Sequence, residues 1–218
     1  MPEFFHVFMA ESIVIHLFKS WIHCSACFSY FCPMFIDCTG EELFIFKKIG
    51  QTASELKMPC YLVGGFVRDK ILGRTTKDMD IVCVGDGIEL AHAVAAQFNP
   101  GPEVHFFKNF GTAHIAWKGI DIEFVGARKE SYDLNSRKPA VVSGSLEDDQ
   151  NRRDFTINAM AISLNKIDFG SLVDPFNGIS DLENKILKTP LEPSRTFSDD
   201  PLRMMRAIRF ATQLNYTI

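Results

Sequence analysis

Residues 60–84, CYLVGGFVRDKILGRTTKDMDIVCV, decide the fold. Cys60-Tyr61-Leu62-Val63 is an apolar run of buried-strand type. Gly64-Gly65 lets the backbone turn tightly and leaves room for a bulky group to approach. A helix is predicted over 66–72, with Gly73 ending it. Its N-terminus follows a glycine turn, so unpaired N–H groups and the positive end of the helix dipole suit a phosphate there. Arg68 lies in its first turn, and the basic stretch after Gly73 leads through Lys77-Asp78-Met79-Asp80 into the β-branched strand Ile81-Val82-Cys83-Val84.

Asp78 and Asp80 are two residues apart on an extended segment. Their carboxylates therefore point to one side, about 7 Å apart along the chain. Like charges on one face at a buried strand end are costly unless a cation sits between them. Mg²⁺ accepts that arrangement, taking one or two carboxylates and completing its shell with phosphate and water. An anion cradle and a carboxylate clamp in one strand–helix–strand unit point to nucleotidyl transfer. Gly-Gly alone or Asp-x-Asp alone is usually only a turn or a solvated strand end; it is their order, with Arg68 and Arg74 between, that carries the reading. A P-loop is excluded, because no Gly-x-x-x-x-Gly-Lys-Ser/Thr pattern occurs.

The chain has 218 residues, room for one domain and the beginning of another. Its net charge of −4 lacks the overall basic signature of a nucleic-acid binder. Basic residues cluster locally instead, at Arg128-Lys129, Arg137-Lys138, Arg152-Arg153 and Arg203, Arg206 and Arg209. The six cysteines have irregular spacing, which argues for a reducing, cytoplasmic setting without a disulfide framework. Residues 1–40 read as an unassigned extension rich in Phe, His and Cys, with Met34 a plausible start. The apolar run at 12–18 is too short to span a bilayer, and no signal-peptide pattern precedes it, so no membrane partner is expected. Cys24-x-x-Cys27, with His23, Cys32 and Cys38 nearby, lacks the second pair that a zinc site needs.

An amphipathic helix is expected over 41–57, stopped by Met58-Pro59, and another over 85–98. Residues 104–107, 113–117 and 120–125 read as strands, the last two joined at Lys118-Gly119. Asp121 and Glu123 share one face of the third, where a neighbouring carboxylate would complete a metal site of the two-metal kind. Residues 126–144 read as an exposed basic loop. Asp154 can cap a following helix, and Asp154 and Asn158 are i,i+4 neighbours on it. Near the C-terminus, Asp199 or Asp200 caps a helix that starts at Pro201, with Leu202, Met205, Ile208 and Ala211 as its apolar stripe. Asp200, Arg203 and Arg206 lie on the opposite surface.

Three motifs, LVGGFVRD…LGR…KDMDIV, the stretch from Asp149 through RRDFTINA, and DDPLRMMR, resemble the head domain of the tRNA nucleotidyltransferase / poly(A) polymerase family, the bacterial and eukaryotic type of CCA-adding enzyme. The likeness covers roughly the last four-fifths of the chain. It departs at Gln150, where an apolar residue is usual, and at Asp199, which stands for a glutamate. The resemblance implies an α/β (α+β) nucleotidyltransferase fold: a mixed, largely antiparallel sheet of about five strands flanked by helices, then the start of a helical neck. It implies a head at 41–190 and a neck beginning at 191–218. It favours Glu123 over Asp121 as the third carboxylate and makes Asp78, Asp80 and Glu123 the catalytic set, with Asp78 and Asp80 on Mg²⁺. Gly64, Gly65, Arg68 and Arg153 would hold the triphosphate, and Asp154 and Asn158 a ribose. Asp200 and Arg203, supported by Arg206 and Arg209, would read the incoming base. A carboxylate accepts from an exocyclic amine and a guanidinium donates to a ring acceptor, which suits cytosine and adenine and mispairs with uracil and guanine.

The expected activity is addition of CCA to the tRNA 3′ end from CTP and ATP, with release of pyrophosphate. A poly(A) polymerase, an enzyme adding only CC or only A, and a nucleotide-binding fragment without turnover are the alternatives.

Overall fold

A helix, α1 (Gly40–Glu55), precedes the first strand and is fixed at its start by a capping box. The Thr39 hydroxyl accepts from the Glu42 N–H at 3.2 Å, and the Glu42 carboxylate accepts from the Thr39 N–H at 2.7 Å. Its buried face carries Ile45, Phe46, Ile49 and Ala53. The computed structural model describes residues 34–108, 111–131 and 140–218.

The decisive stretch folds as β1 (Cys60–Val63), α2 (Gly64–Ile71) and β2 (Asp78–Cys83). Then follow α3 (Gly87–Ala95), capped by the Asp86 side chain, β3 (Val104–Phe107), β4 (Thr112–Trp117) and β5 (Ile120–Gly126). The hairpin strands β6 (Arg128–Ser131) and β7 (Ala140–Ser143) lead to the short helices α4 (Leu146–Asn151) and α5 (Thr156–Ala159). Strands β8 (Ala161–Ser163) and β9 (Leu172–Val173) come next, and helices α6 (Gly178–Glu183), α7 (Pro193–Asp199) and α8 (Leu202–Leu214) close the chain.

Seven strands form one sheet in the order β3-β4-β5-β2-β1-β8-β9, with β2 and β5 parallel and the other neighbours antiparallel. The expected sheet had about five strands. Strands β8 and β9 are only three and two residues long, too short to show an alternation, so they were hidden inside a motif. The expected basic loop over 126–144 is likewise bounded by paired strands, Arg128 opposite Ser143.

Alternation divides the sheet. One face of β2 and β5, with Met79, Ile81, Ile122 and Phe124, is sealed in the main core with α1, α2 and α3. The other face carries Asp78, Asp80, Asp121 and Glu123, and further along Val63, Val82 and Ala161 form a small second cluster.

Residues from Met34 to Ile218 form one compact unit. The expected boundary at 40 therefore moves: the Phe35 N–H donates to the Gly170 carbonyl at 2.9 Å, and Ile36 is buried in the core. The Cys24/Cys27 reading and the apolar run at 12–18 lie outside the described residues. No helix among the described residues is long and apolar enough to cross a membrane.

Helix α8 turns the other way from the expectation. Arg203, Ala207 and Phe210 are its buried residues, while Leu202, Met205 and Ile208 are 63%, 63% and 57% exposed. Two forces outweigh the apolar stripe. Backbone carbonyls of Arg152 and Thr196 accept from the Arg203 guanidinium, at 2.6 and 3.3 Å, and Phe210 packs edge-on against the buried Phe155.

Helix α1 meets β8 without clearance. A Cβ on Gly50 would lie 2.2 Å from the Leu164 carbonyl oxygen. Gly50→Ala should therefore destabilise the fold by about 3 kcal/mol, because the backbone clash exceeds the gain of about 1 kcal/mol in helix propensity. The urea midpoint measures it, and an unchanged midpoint would show that the helix can shift outward at no cost.

Candidate active site

The site begins at the turn between β1 and α2. Gly64 has φ +76°, a left-handed conformation that favours glycine. A Cβ placed on it would lie 2.9 Å from Asp80 Oδ2 and 3.1 Å from Arg153 Nη1. Glycine thus keeps open the corner where a strand carboxylate and a guanidinium approach each other.

Strand register supplies the acidic row. Asp80 lies opposite Val63 on β1 and opposite Glu123 on β5, and Asp78 lies opposite Asp121. Asp78 is exposed and Asp80 half-buried. The Asp80 carboxyl is pushed up to about 6, first by burial and further by the carboxylates of Glu123, Asp78 and Asp149, against the opposing pull of the Arg153 guanidinium. Asp121 Oδ1 sits 3.0 Å from His114 Nε2, so that carboxylate is engaged on the neighbouring strand. Glu123 is the remaining acid of β5 on this face.

Among the described residues, no three histidine, cysteine or acidic side chains converge tightly enough to cage an ion. The donor set therefore comprises the two carboxylates of β2, with Glu123, opposite Asp80 on β5, as added negative charge. A desolvated carboxylate beside two others is what a hard dication relieves, so the residues fit a divalent metal whose remaining ligands are phosphate and water.

The segment from α4 to α5 supplies the basic wall. The fully buried Asp149 carboxylate lies between Arg152 and Arg153. Arg153 donates from Nε and Nη2 to Asp149 Oδ2 at 3.0 and 2.8 Å, and from Nη1 to the Asn158 carbonyl at 3.3 Å. Asp154 does not cap α5, whose N-cap is Phe155; its Oδ1 accepts from the Phe155 N–H at 2.8 Å and from Asn158 Nδ2 at 3.0 Å. Asp154 Oδ2 accepts from Arg206 Nε at 2.7 Å. This ties α8 to α5 across the cavity.

That cavity is lined by Arg152, Arg153, Asp154, Asn158, Asp200, Arg203 and Arg206. Four arginines face two aspartates, a balance that suits a polyanion carrying a polar base. The N-cap position of α8 is Pro201, not Asp200; Asp200 Oδ1 accepts from the Leu202 N–H at 3.0 Å, the first N–H of the helix, and its Oδ2 lies 3.8 Å from Arg203 Nε. The helix itself begins at Leu202, after Pro201.

Of the expected phosphate and base residues, Gly64, Gly65, Arg68 and Arg209 lie outside this lining. Arg68 is buried and forks onto Asp69, at 3.0 and 2.8 Å, and donates to Asn158 Oδ1 at 2.6 Å. It supports the cavity from behind, and a Cβ placed on Gly65 would lie 3.4 Å from its Nη2. Arg209 is exposed and lies over the Phe210 ring, 4.9 Å from its centroid, a ring that also contacts Arg68 and Arg206. Sequence reasoning gave Arg152 and Asp149 no role. Their i+3 and i+4 spacing was the available signal.

The poly(A) polymerase head-domain family matches residues 60–188. An A-adding tRNA nucleotidyltransferase of Aquifex aeolicus is 46% identical over 158 residues, 72% of this chain and 19% of that protein. A CCA-adding enzyme of Levilactobacillus brevis is 37% identical over 180 residues, 82% of this chain and 43% of that protein. A solved tRNA nucleotidyltransferase, complexed with a primer tRNA and an incoming ATP analogue, superposes with a TM-score of 0.67 at 43% identity, over 78% of this chain and 46% of its own. The chain thus spans less than half the length of each.

Proposed function

Since the chain belongs to the tRNA nucleotidyltransferase / poly(A) polymerase family, we propose that it is the nucleotide-binding, catalytic head of an enzyme that adds CCA to the 3′ end of tRNA from CTP and ATP. The observation that supports this most is the convergence of Gly64, Asp80 and Arg153 beside a cavity edged by Asp200 and Arg203. Triphosphate and base thus have adjoining places. The helical stretch at 191–218 we read as the beginning of a neck domain.

Asp78 and Asp80 would hold Mg²⁺, which when bound lowers the pKa of the RNA 3′-hydroxyl and offsets charge on the α-phosphate. Glu123 adds negative charge to the same face. The RNA 3′-hydroxyl releases its proton to solvent, its oxygen bonds to the α-phosphorus as the bond to the β-phosphate bridging oxygen breaks, and pyrophosphate leaves with that electron pair. Arg153, aimed past Gly64, holds the triphosphate and offsets charge as the leaving group departs. Arg68 acts through Asn158, which with Asp154 faces the ribose. Asp200 and Arg203 read the base edge, while Arg206 and Arg209 brace them through Asp154 and Phe210. A cytoplasmic, reducing setting is supported by the free thiols of Cys38, Cys60 and Cys83.

The A-adding relative at 46% identity favours a second reading, in which ATP alone is used on a tRNA already ending in CC. One experiment separates the two. The protein is given tRNA lacking its last three residues, and separately tRNA already ending in CC, each with CTP alone, ATP alone or both, and the 3′ ends are sequenced. CC from CTP and CCA from both is the expected result. Addition of A only, and only to tRNA ending in CC, would establish the second reading. No addition to any of these RNAs would overturn both.

A further inference from the structure

We propose that Asp149 is the positioning residue of this site: one buried carboxylate sets Arg152 on the base cavity and Arg153 on the phosphate turn as a single rigid pair. The inference rests on the nucleotide reading above and deepens it.

Asp149 lies within α4, and the two arginines follow at i+3 and i+4 where the helix ends, Arg152 as its C-cap and Arg153 just past it. Asp149 is 0% exposed, while the arginine side chains are 21% and 17% exposed. The carboxylate is thus sealed, and each guanidinium reaches the surface. Oxygen Oδ1 accepts from Arg152 Nε at 3.0 Å and also from Arg152 Nη2. Oxygen Oδ2 accepts from Arg153 Nε and Nη2. Each arginine is therefore held through one edge of its planar fork, a geometry that fixes the direction of the rest of the group.

For Arg153 the remaining nitrogen, Nη1, points at the Gly64 corner, 3.1 Å from where a Cβ would stand. For Arg152, the backbone carbonyl accepts from Arg203 Nη2 at 2.6 Å. The same short segment therefore also fixes an arginine of the base wall. Burial pushes the Asp149 carboxyl up, but the guanidiniums of Arg153 and Arg152 and their hydrogen bonds hold it below the ordinary carboxylate range. The two guanidiniums thus favour its charged form. Without it, two adjacent guanidiniums would repel and swing apart.

The helix is braced in turn by Gln150. Its Nε2 donates to the carbonyls of Ala159, at 2.7 Å, and Val173, at 3.3 Å, pinning α4 to α5 and to the sheet edge. The polar residue at a buried position is thus satisfied by two carbonyls and adds to the stiffness of the support.

The test is CTP binding to the whole chain by calorimetry, with wild type, Asp149→Asn, Arg153→Ala and the double variant. An asparagine offers one acceptor and turns its N–H₂ toward the other arginine, so one fork is released. Asp149→Asn should weaken CTP binding at least tenfold. In the Arg153→Ala background it should add no more than about threefold, since the effect runs largely through Arg153. A purely structural role would lower the fraction of protein that binds and leave the affinity of that fraction unchanged. Wild-type affinity in Asp149→Asn, or a double loss equal to the product of the singles, would overturn the proposal. If Asp149→Asn does not fold, Arg153→Lys decides, because one amine cannot serve both Asp149 and a phosphate. At least tenfold weaker CTP binding is then expected, and wild-type affinity would overturn the proposal. Failure of the wild type itself to bind CTP would remove the nucleotide reading and this inference with it.

Discussion

Replacing Asp80 by alanine is expected to cut nucleotide addition by at least about 10³-fold, some 4 kcal/mol of transition-state stabilisation, while CTP affinity changes far less. Asp80 is the more buried of the two strand acids, and it abuts the glycine corner that keeps space for the phosphates. A variant that incorporates CTP at the wild-type rate would remove the metal from these residues. The same carboxylate makes a second, opposite prediction for stability. Its folded pKa is pushed up to about 6 from an ordinary 3.8, so its ionised form is disfavoured by folding. The cost is absent below the ordinary value and complete above the folded one. The metal-free protein should therefore lose stability as pH rises from about 4 to 6, by roughly 3 kcal/mol. Asp80→Asn should abolish that loss and raise the Tm at pH 7.5 by about 6–12 °C. Mg²⁺ should raise the wild-type Tm at pH 7.5 and much less at pH 5, where protons compete for the ligand. A Tm independent of both pH and metal would show that the carboxylate is solvated after all.

That antagonism explains why this part of the molecule was readable from the residues. Asp-x-Asp ahead of a β-branched strand breaks the rule that strand ends shed like charges, and Gly-Gly before a helix breaks the rule that helices start on a capping side chain. Local rules are broken where a ligand must fit. The acidic pairing also followed from period alone: two residues apart on β2 and two apart on the parallel β5 give one row, whichever strands are neighbours.

Other features depended on contacts that no local pattern encodes. The resemblance puts Arg68 on the triphosphate, yet Asp69 and Asn158, the latter 90 residues away, turn it inward. The apolar positions of α8 suggested which side is buried. The answer came instead from two carbonyls outside the helix that hold Arg203, and from the Phe155 ring beneath Phe210. Strand β9 exists because β8 offers it an edge, not because two residues have any preference of their own.

Substitution of Asp200 should move selectivity more than any other change at the base end of the cavity. Asp200 has two tasks in this geometry. One oxygen accepts from the Leu202 N–H at the start of α8, and the other lies toward Arg203 on the cavity side. Asparagine separates them. Its amide oxygen accepts that N–H as the carboxylate does, so α8 and its stability should be preserved. On the cavity side it loses the charge and gains an N–H₂ group able to donate to a carbonyl. CTP and ATP, which present an amine there, should lose about 30-fold in kcat/KM, the size expected for a hydrogen bond to a charged group. UTP and GTP, which present a carbonyl, should lose much less or gain. The discrimination ratio should then shrink at least tenfold, measured as single-nucleotide addition with each of the four triphosphates. Alanine at 200 removes the acceptor of the Leu202 N–H as well and should lower stability by about 1 kcal/mol, a loss shared by all four substrates. The contrast between the variants carries the argument. If asparagine lowers all four triphosphates by one common factor, Asp200 serves only the helix, and base choice must lie with Arg203 and the segment that holds it.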